Sequence, residues 1–420
     1  MNFRPNPLLY GAHEDFFSSF KLVVTMCDDV DHALLVKTVH SAMKRYPYFS
    51  VFPQKDGDCI QLQFNEAPVP VFNDDRCVVL GTNESNGHLI AFGCDEKRII
   101  LNASHYIADG MGISPLLMSV LYLYISEKYG TDGLNSEHIL MPDSPVSDKE
   151  YAYPFPEQPL LQDDENTNEK IPDSAYSLDS SAFDKQGLYA YHLRIPQSAM
   201  MKVANPSDGS PVSFLSVMLF RALCALDEKI DKSVIAHVQH QYRPVINAPL
   251  NRHSLVRYIP LKLPPIIKER NVEFQNTVVR GQIILGSEPE KELLSVDRLV
   301  SVIPKDKNLS LGEKQCAMRK FIESSIAPKT FGISYVGKMY WYGMDKYIED
   351  LHAYIGEKST PDMLLIEVMT VGDFFSINFM QSGKGSLYVE AFTKQLENFN
   401  IPVSLVGEER YTLCDTKIPQ

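Results

Sequence analysis

The apolar positions of the chain change period from stretch to stretch, and each change predicts an element. Residues 16–25 are a dense apolar and β-branched run that reads as a strand. Asp28, Asp29 and Asp31 then offer cap and first-turn carboxylates to a helix whose Ala33, Leu34, Val36, Val39, Ala42 and Met43 recur at helical spacing until Pro47. Short strands are predicted at 50–53, 60–64, 69–72, 89–92 and 98–102, separated by Asp-Gly and Asn-rich turns. The apolar run 114–129 reads as a second helix, with Leu116, Leu117, Val120, Leu121, Leu123 and Tyr124 turned inward and Gly130 closing its end.

Residues 142–185 break this pattern. Pro142, Pro145, Pro154, Pro156, Pro159 and Pro172, with the acidic Asp163-Asp164-Glu165, predict a long surface connection. Beyond it, strands are expected at 189–195, 233–241, 255–263, 331–338, 364–370, 374–380 and 402–405. Helices are expected at 196–204, 211–227, 269–285, 291–301, 310–324 and 387–399. The helix over 211–227 is apolar on most faces and is therefore expected to be buried. Strand and helix alternate in both halves, which predicts an α/β fold of two lobes, each a mixed sheet packed with helices. Residues 1–150 would form the first lobe, 151–188 the linker and 189–420 the second lobe.

Composition narrows the function classes. With 44% hydrophobic and 22% charged residues the chain is an ordinary globular one. A net charge of -13 disfavours nucleic acid as a partner, so any phosphate ligand must find a local basic patch. Cys27, Cys59, Cys77, Cys94, Cys224, Cys316 and Cys414 are scattered and form no C-x-x-C pair, which predicts reduced thiols, no disulfide framework and no zinc site. No run of 18 apolar residues predicts a membrane span, and Met1-Asn2-Phe3-Arg4-Pro5 does not open like a secretory signal. The expectation is a cytoplasmic protein.

The chemistry is concentrated where the apolar Ile99-Ile100-Leu101 runs into His105-Tyr106-Ile107-Ala108-Asp109-Gly110 and then into the helix over 114–129. A histidine at a strand end, followed by a glycine that would let the backbone turn, presents an imidazole to a cavity. There is no G-x-S-x-G elbow, P-loop, dinucleotide fingerprint or H-E-x-x-H spacing, so a covalent serine intermediate and a metal centre are both disfavoured.

The segment Ser104-His105-Tyr106-Ile107-Ala108-Asp109-Gly110 resembles the H-x-x-x-D-G signature of the coenzyme-A-dependent acyltransferase superfamily with the chloramphenicol acetyltransferase fold. That superfamily includes condensation domains, BAHD acyltransferases and alcohol O-acetyltransferases. Arg45-Tyr46-Pro47 resembles the close of its first helix, and Arg243 matches an arginine at the end of one of its strands. Ser104 stands where many members carry a second histidine. Tyr335 stands where asparagine is common, and the D-F-G-W-G hallmark of the BAHD branch is absent. The resemblance implies two chloramphenicol-acetyltransferase-like lobes with an active-site channel between them.

It also implies an acyltransferase with His105 as general base, no permanently bound cofactor, acyl-CoA as co-substrate and a small-molecule acceptor. A carrier-protein thioester is the alternative donor, and a catalytically silent binding member of the fold is the alternative to an enzyme. A neutral imidazole suits the base role because its ordinary pKa is about 6.5. Asp109 could orient that imidazole or hold the motif loop through an ion pair; the resemblance implies the loop role, with Arg243 as partner. Arg243 could also line the channel. Ser334 and the Gly110 amide are candidates to meet an oxyanion. Arg252 and Arg257 form the candidate patch for a nucleotide phosphate.

Overall fold

A computed structural model describes residues 2–12, 19–161, 174–303, 308–326, 329–356 and 362–418. Three sheets carry the chain. A five-stranded sheet has the order Ile348–Tyr354, Ser19–Met26, Arg98–Ser104, Ile90–Asp95, Val71–Phe72. A seven-stranded sheet runs Val256–Leu263, Val234–Gln241, Phe331–Lys338, Leu364–Val371, Phe374–Gln381, Leu188–Pro196, Ser404–Tyr411. Both are mixed: Phe331–Lys338 is parallel to each of its neighbours, whereas most other pairs are antiparallel. A small sheet of Asn2–Phe3, Cys59–Phe64 and Val51–Asp56 lies beside them.

The helices form where the apolar spacing places them. His32–Met43 is capped by Asp31, whose carboxylate accepts the Leu34 amide, and buries Leu35, Val39, Ala42 and Met43. Pro211–Leu226 starts with a reciprocal Ser210–Ser213 cap and is buried along most of its length. The first of the expected strands is observed as Ser19–Met26, and Phe16 and Phe17 lie outside the described residues. So do Asp163, Asp164, Glu165 and Pro172 of the expected connection. Among the described residues no single helix is long and apolar enough to cross a membrane.

The largest departure from the sequence reading is the strand Ile348–Tyr354. It comes from the second half of the chain but pairs antiparallel with Ser19–Met26 at the edge of the five-stranded sheet. Its polar residues face the other sheet: Asp350 accepts from Arg194 at 2.6 Å and from Ser376 at 2.8 Å, and the Ala353 carbonyl accepts from Asn378. A buried cluster including Val23, Ile100, Tyr354, Leu365 and Met380 fills the seam between the sheets. The helices Pro289–Ser301 and Leu311–Ile326 also send Val296, Leu299, Leu311 and Met318 into the core of the first half. Packing between the halves thus crosses the expected division at 151–188.

Candidate functional site

The strand Arg98–Ser104 ends one residue before His105. Ser104 fixes the turn, its carbonyl accepting from the Ile107 and Ala108 amides. Its hydroxyl accepts from Thr416, and its side chain is buried. The imidazole of His105 packs against the Phe20 ring at 4.4 Å between centroids and borders a cavity of about 250 Å³. Burial pushes its pKa down to about 4, against the opposing pull of Asp109 and of a backbone hydrogen bond to Ala108. At neutral pH the ring is uncharged and can accept a proton.

Asp109 is turned to a different task. It caps the helix Gly110–Tyr129, its Oδ1 accepting the Gly112 amide at 2.7 Å. Arg243 reaches both carboxylate oxygens, at 2.8 and 2.9 Å, and the Leu255 amide adds a further bond to Oδ2. Arg243 also donates to the Asn251 and His253 carbonyls. Both side chains border the cavity yet are almost wholly buried, and their hydrogen bonds are directed at each other and at the surrounding backbone. Of the two roles open to Asp109, the loop-holding one matches this geometry; Arg243 has its charge committed to that pair rather than offered to a phosphate.

The expected sharp turn at Gly110 is not what the structure contains. Gly110 is the first residue of a helix that begins four residues before the expected start, and it has no positive φ. A methyl group there would meet open space. Gly112 is the constrained one, because a Cβ would come within 2.2 Å of the Arg252 carbonyl, where the two halves of the molecule touch.

Arg252 and Arg257 do not border the cavity. Arg252 lies 3.9 Å from Glu150, itself held by Arg45 and Tyr48, and Arg257 donates to the Gly286 carbonyl and to Ser295. A phosphate would compete with those partners. Ser334 does border the cavity, but its hydroxyl donates to Glu367 Oε1 at 2.8 Å.

Glu367 is the residue that the sequence reading missed. It sits within the apolar strand Leu364–Val371, beside Ser334 in register, and is only 4% exposed. Burial pushes its pKa up to about 8, with the Ser334 hydrogen bond opposing, so the carboxyl is largely protonated at neutral pH. A lone carboxylate letter inside Leu-Leu-Ile-Glu-Val-Met-Thr-Val was the available signal. Around these polar groups the wall is apolar, including Leu22, Leu117, Val336, Leu351, Met339 and Met369.

No family profile matches this sequence, and no curated protein does. Solved structures do. Polyketide synthase associated protein 5 from Mycobacterium tuberculosis superposes with a TM-score of 0.59 at 12% identity, covering 94% of this chain and 96% of its own. TRI101 of F. graminearum, solved with coenzyme A and deoxynivalenol, gives 0.61 at 10% identity over 97% and 100%. The first condensation domain of the CDA synthetase gives 0.57 at 10% identity over 91% of both chains. At such identities the likeness is one of fold: the chain has the two-lobed α/β architecture of these proteins, as its signature residues predicted.

Proposed function

We propose that the protein is an acyltransferase that moves an acyl group from an acyl-CoA thioester to a hydroxyl or amine of a small acceptor. The observation that carries this reading is the uncharged imidazole of His105, which borders a largely apolar cavity between the two sheets. The fold shared with a protein solved with coenzyme A supports the choice of donor.

In the proposed step His105 takes the proton of the acceptor as its oxygen or nitrogen attacks the thioester carbon. The new C–O or C–N bond forms, the C–S bond breaks, and the proton passes from the imidazole to the departing thiolate. Asp109 takes no part in proton transfer. With Arg243 it anchors the loop that aims His105, across the contact between the two halves.

The test is thiol release from purified acetyl-CoA with a panel of small apolar alcohols and amines. The expected result is release that depends on the acceptor, with no carrier protein present. Because burial holds His105 near a pKa of about 4, activity should persist as pH falls through the ordinary histidine range near 6.5. An acid limb at 6.5, or release indifferent to every acceptor, contradicts the reading.

A further inference from the structure

A buried carboxyl group with no cation beside it is costly unless it is neutral, and a neutral carboxylic acid is a hydrogen-bond donor. Glu367 is such a group. Its side chain is buried in the middle of the seven-stranded sheet, borders the same cavity as His105, and has one oxygen occupied by the Ser334 hydroxyl. We infer that Glu367 is a catalytic residue, its carboxylic acid donating from the cavity wall to the thioester carbonyl oxygen as that oxygen becomes an oxyanion, with Ser334 fixing the orientation of the acid. This rests on the acyltransferase reading and assigns to it the group that stabilises the transition state.

The geometry of the neighbours leaves Glu367 to act in this way. The Ser334 proton is spent on Oε1, so the serine alone is a poor oxyanion donor. The titratable groups on the elements packed around it have other neighbours. On the crossing strand, Asp350 is held by Arg194 and Ser376, while His352 packs on His192. His240 pairs with Glu292, Tyr335 shares a bond with Thr370, His237 stacks on Tyr258, and Arg243 is committed to Asp109. Ser114, which also borders the cavity, donates to the Gly110 carbonyl, Gln239 and Gln241 add neutral amides to the wall, and His105 stands as the base on the other sheet. Burial dominates the upward shift of the Glu367 pKa to about 8, with no neighbouring charge contributing.

In the proposed step Glu367 keeps its proton throughout. The acceptor's proton travels to His105 and on to sulfur, while the Glu367 O–H strengthens its bond to the oxygen that gains charge. Ionisation of Glu367 would put a second negative charge beside that oxygen, so activity should be present below about pH 8 and lost as pH rises through that value.

Two variants, assayed with acetyl-CoA, test this. Glu367→Leu removes the donor and should lower kcat by about 10²- to 10³-fold with little change in either KM. Glu367→Gln retains an N–H donor that cannot ionise; it should keep most of kcat and lose the alkaline fall. Infrared spectra should also show the C=O stretch of a protonated carboxyl in the wild type that disappears in Glu367→Gln. Wild-type kcat in Glu367→Leu, or an unchanged alkaline limb in Glu367→Gln, overturns the assignment. His105→Ala is measured alongside: if it is inactive while Glu367→Leu is fully active, only this inference falls, whereas a fully active His105→Ala removes the general-base role of His105, and the absence of acceptor-dependent thiol release in the wild type removes the acyltransferase reading itself.

Discussion

Two buried carboxylates border one cavity and are treated in opposite ways. Asp109 receives two bonds from Arg243, one from the Gly112 amide and one from the Leu255 amide. Glu367 receives a single side-chain bond, from Ser334, and faces no cation. The first arrangement offsets the cost of burying charge and uses the pair to join a loop of the first half to a loop of the second. The second leaves that cost in place, and the group avoids it by holding its proton. A saturated ion pair therefore fits an architectural role and a buried acid with no cationic partner fits the proposed donor role, although both residues would look alike in a composition table.

The contrast can be broken most forcefully at Asp109. Asp109→Asn strands the buried guanidinium of Arg243 and should cost about 3–5 kcal/mol of stability. The same change of carboxyl to amide at Glu367 should act in the other direction. Its folded pKa is raised to about 8, so the folded state binds a proton that the unfolded chain releases above its ordinary value, and its contribution to stability falls as pH rises between the two. Glu367→Gln should therefore stabilise the protein at pH 7 by on the order of 3 kcal/mol, and by progressively less toward pH 4.5. Denaturant melts of both variants at two pH values decide the matter; losses of equal size would erase the distinction.

A smaller effect separates the two glycines after the motif. Gly112→Ala drives a methyl group into the Arg252 carbonyl and should cost about 1–3 kcal/mol. Gly110→Ala faces open space and should stay within about 0.5 kcal/mol of the parent in the same melts. The smallest effect is expected at Arg252 and Arg257, which already have protein partners. Alanine at either should change the KM for acetyl-CoA by less than about threefold, close to what a screened surface contact contributes. A tenfold rise would return them to the phosphate patch that the basic sequence suggested.

What was legible in the sequence follows the same division. The helices His32–Met43 and Pro211–Leu226 were readable because the apolar residues of each face a hydrophobic core, the first that of the first half and the second that of the second half. The strand before His105 and the helix after Asp109 were readable from their apolar runs, though the helix starts at Gly110 and not at Ser114. The strand Ile348–Tyr354 was not, since Asp350 and His352 interrupt its apolar pattern and are buried against the other sheet instead of exposed. The last strand was expected to be short and is Ser404–Tyr411. It is an edge strand paired only with Leu188–Pro196, so Glu408, Glu409 and Arg410 are tolerated there and hide it. Glu367 was visible as a letter, but its meaning depends on which residues surround it, and those come from the neighbouring strands.

The central claim is that His105 removes the acceptor's proton. The direct measurement is the rate of thiol release from acetyl-CoA by His105→Ala, on protein shown to melt at the wild-type temperature. The account predicts a fall in kcat of about 10²- to 10⁴-fold with the fold retained. Wild-type turnover from a folded His105→Ala protein would contradict it.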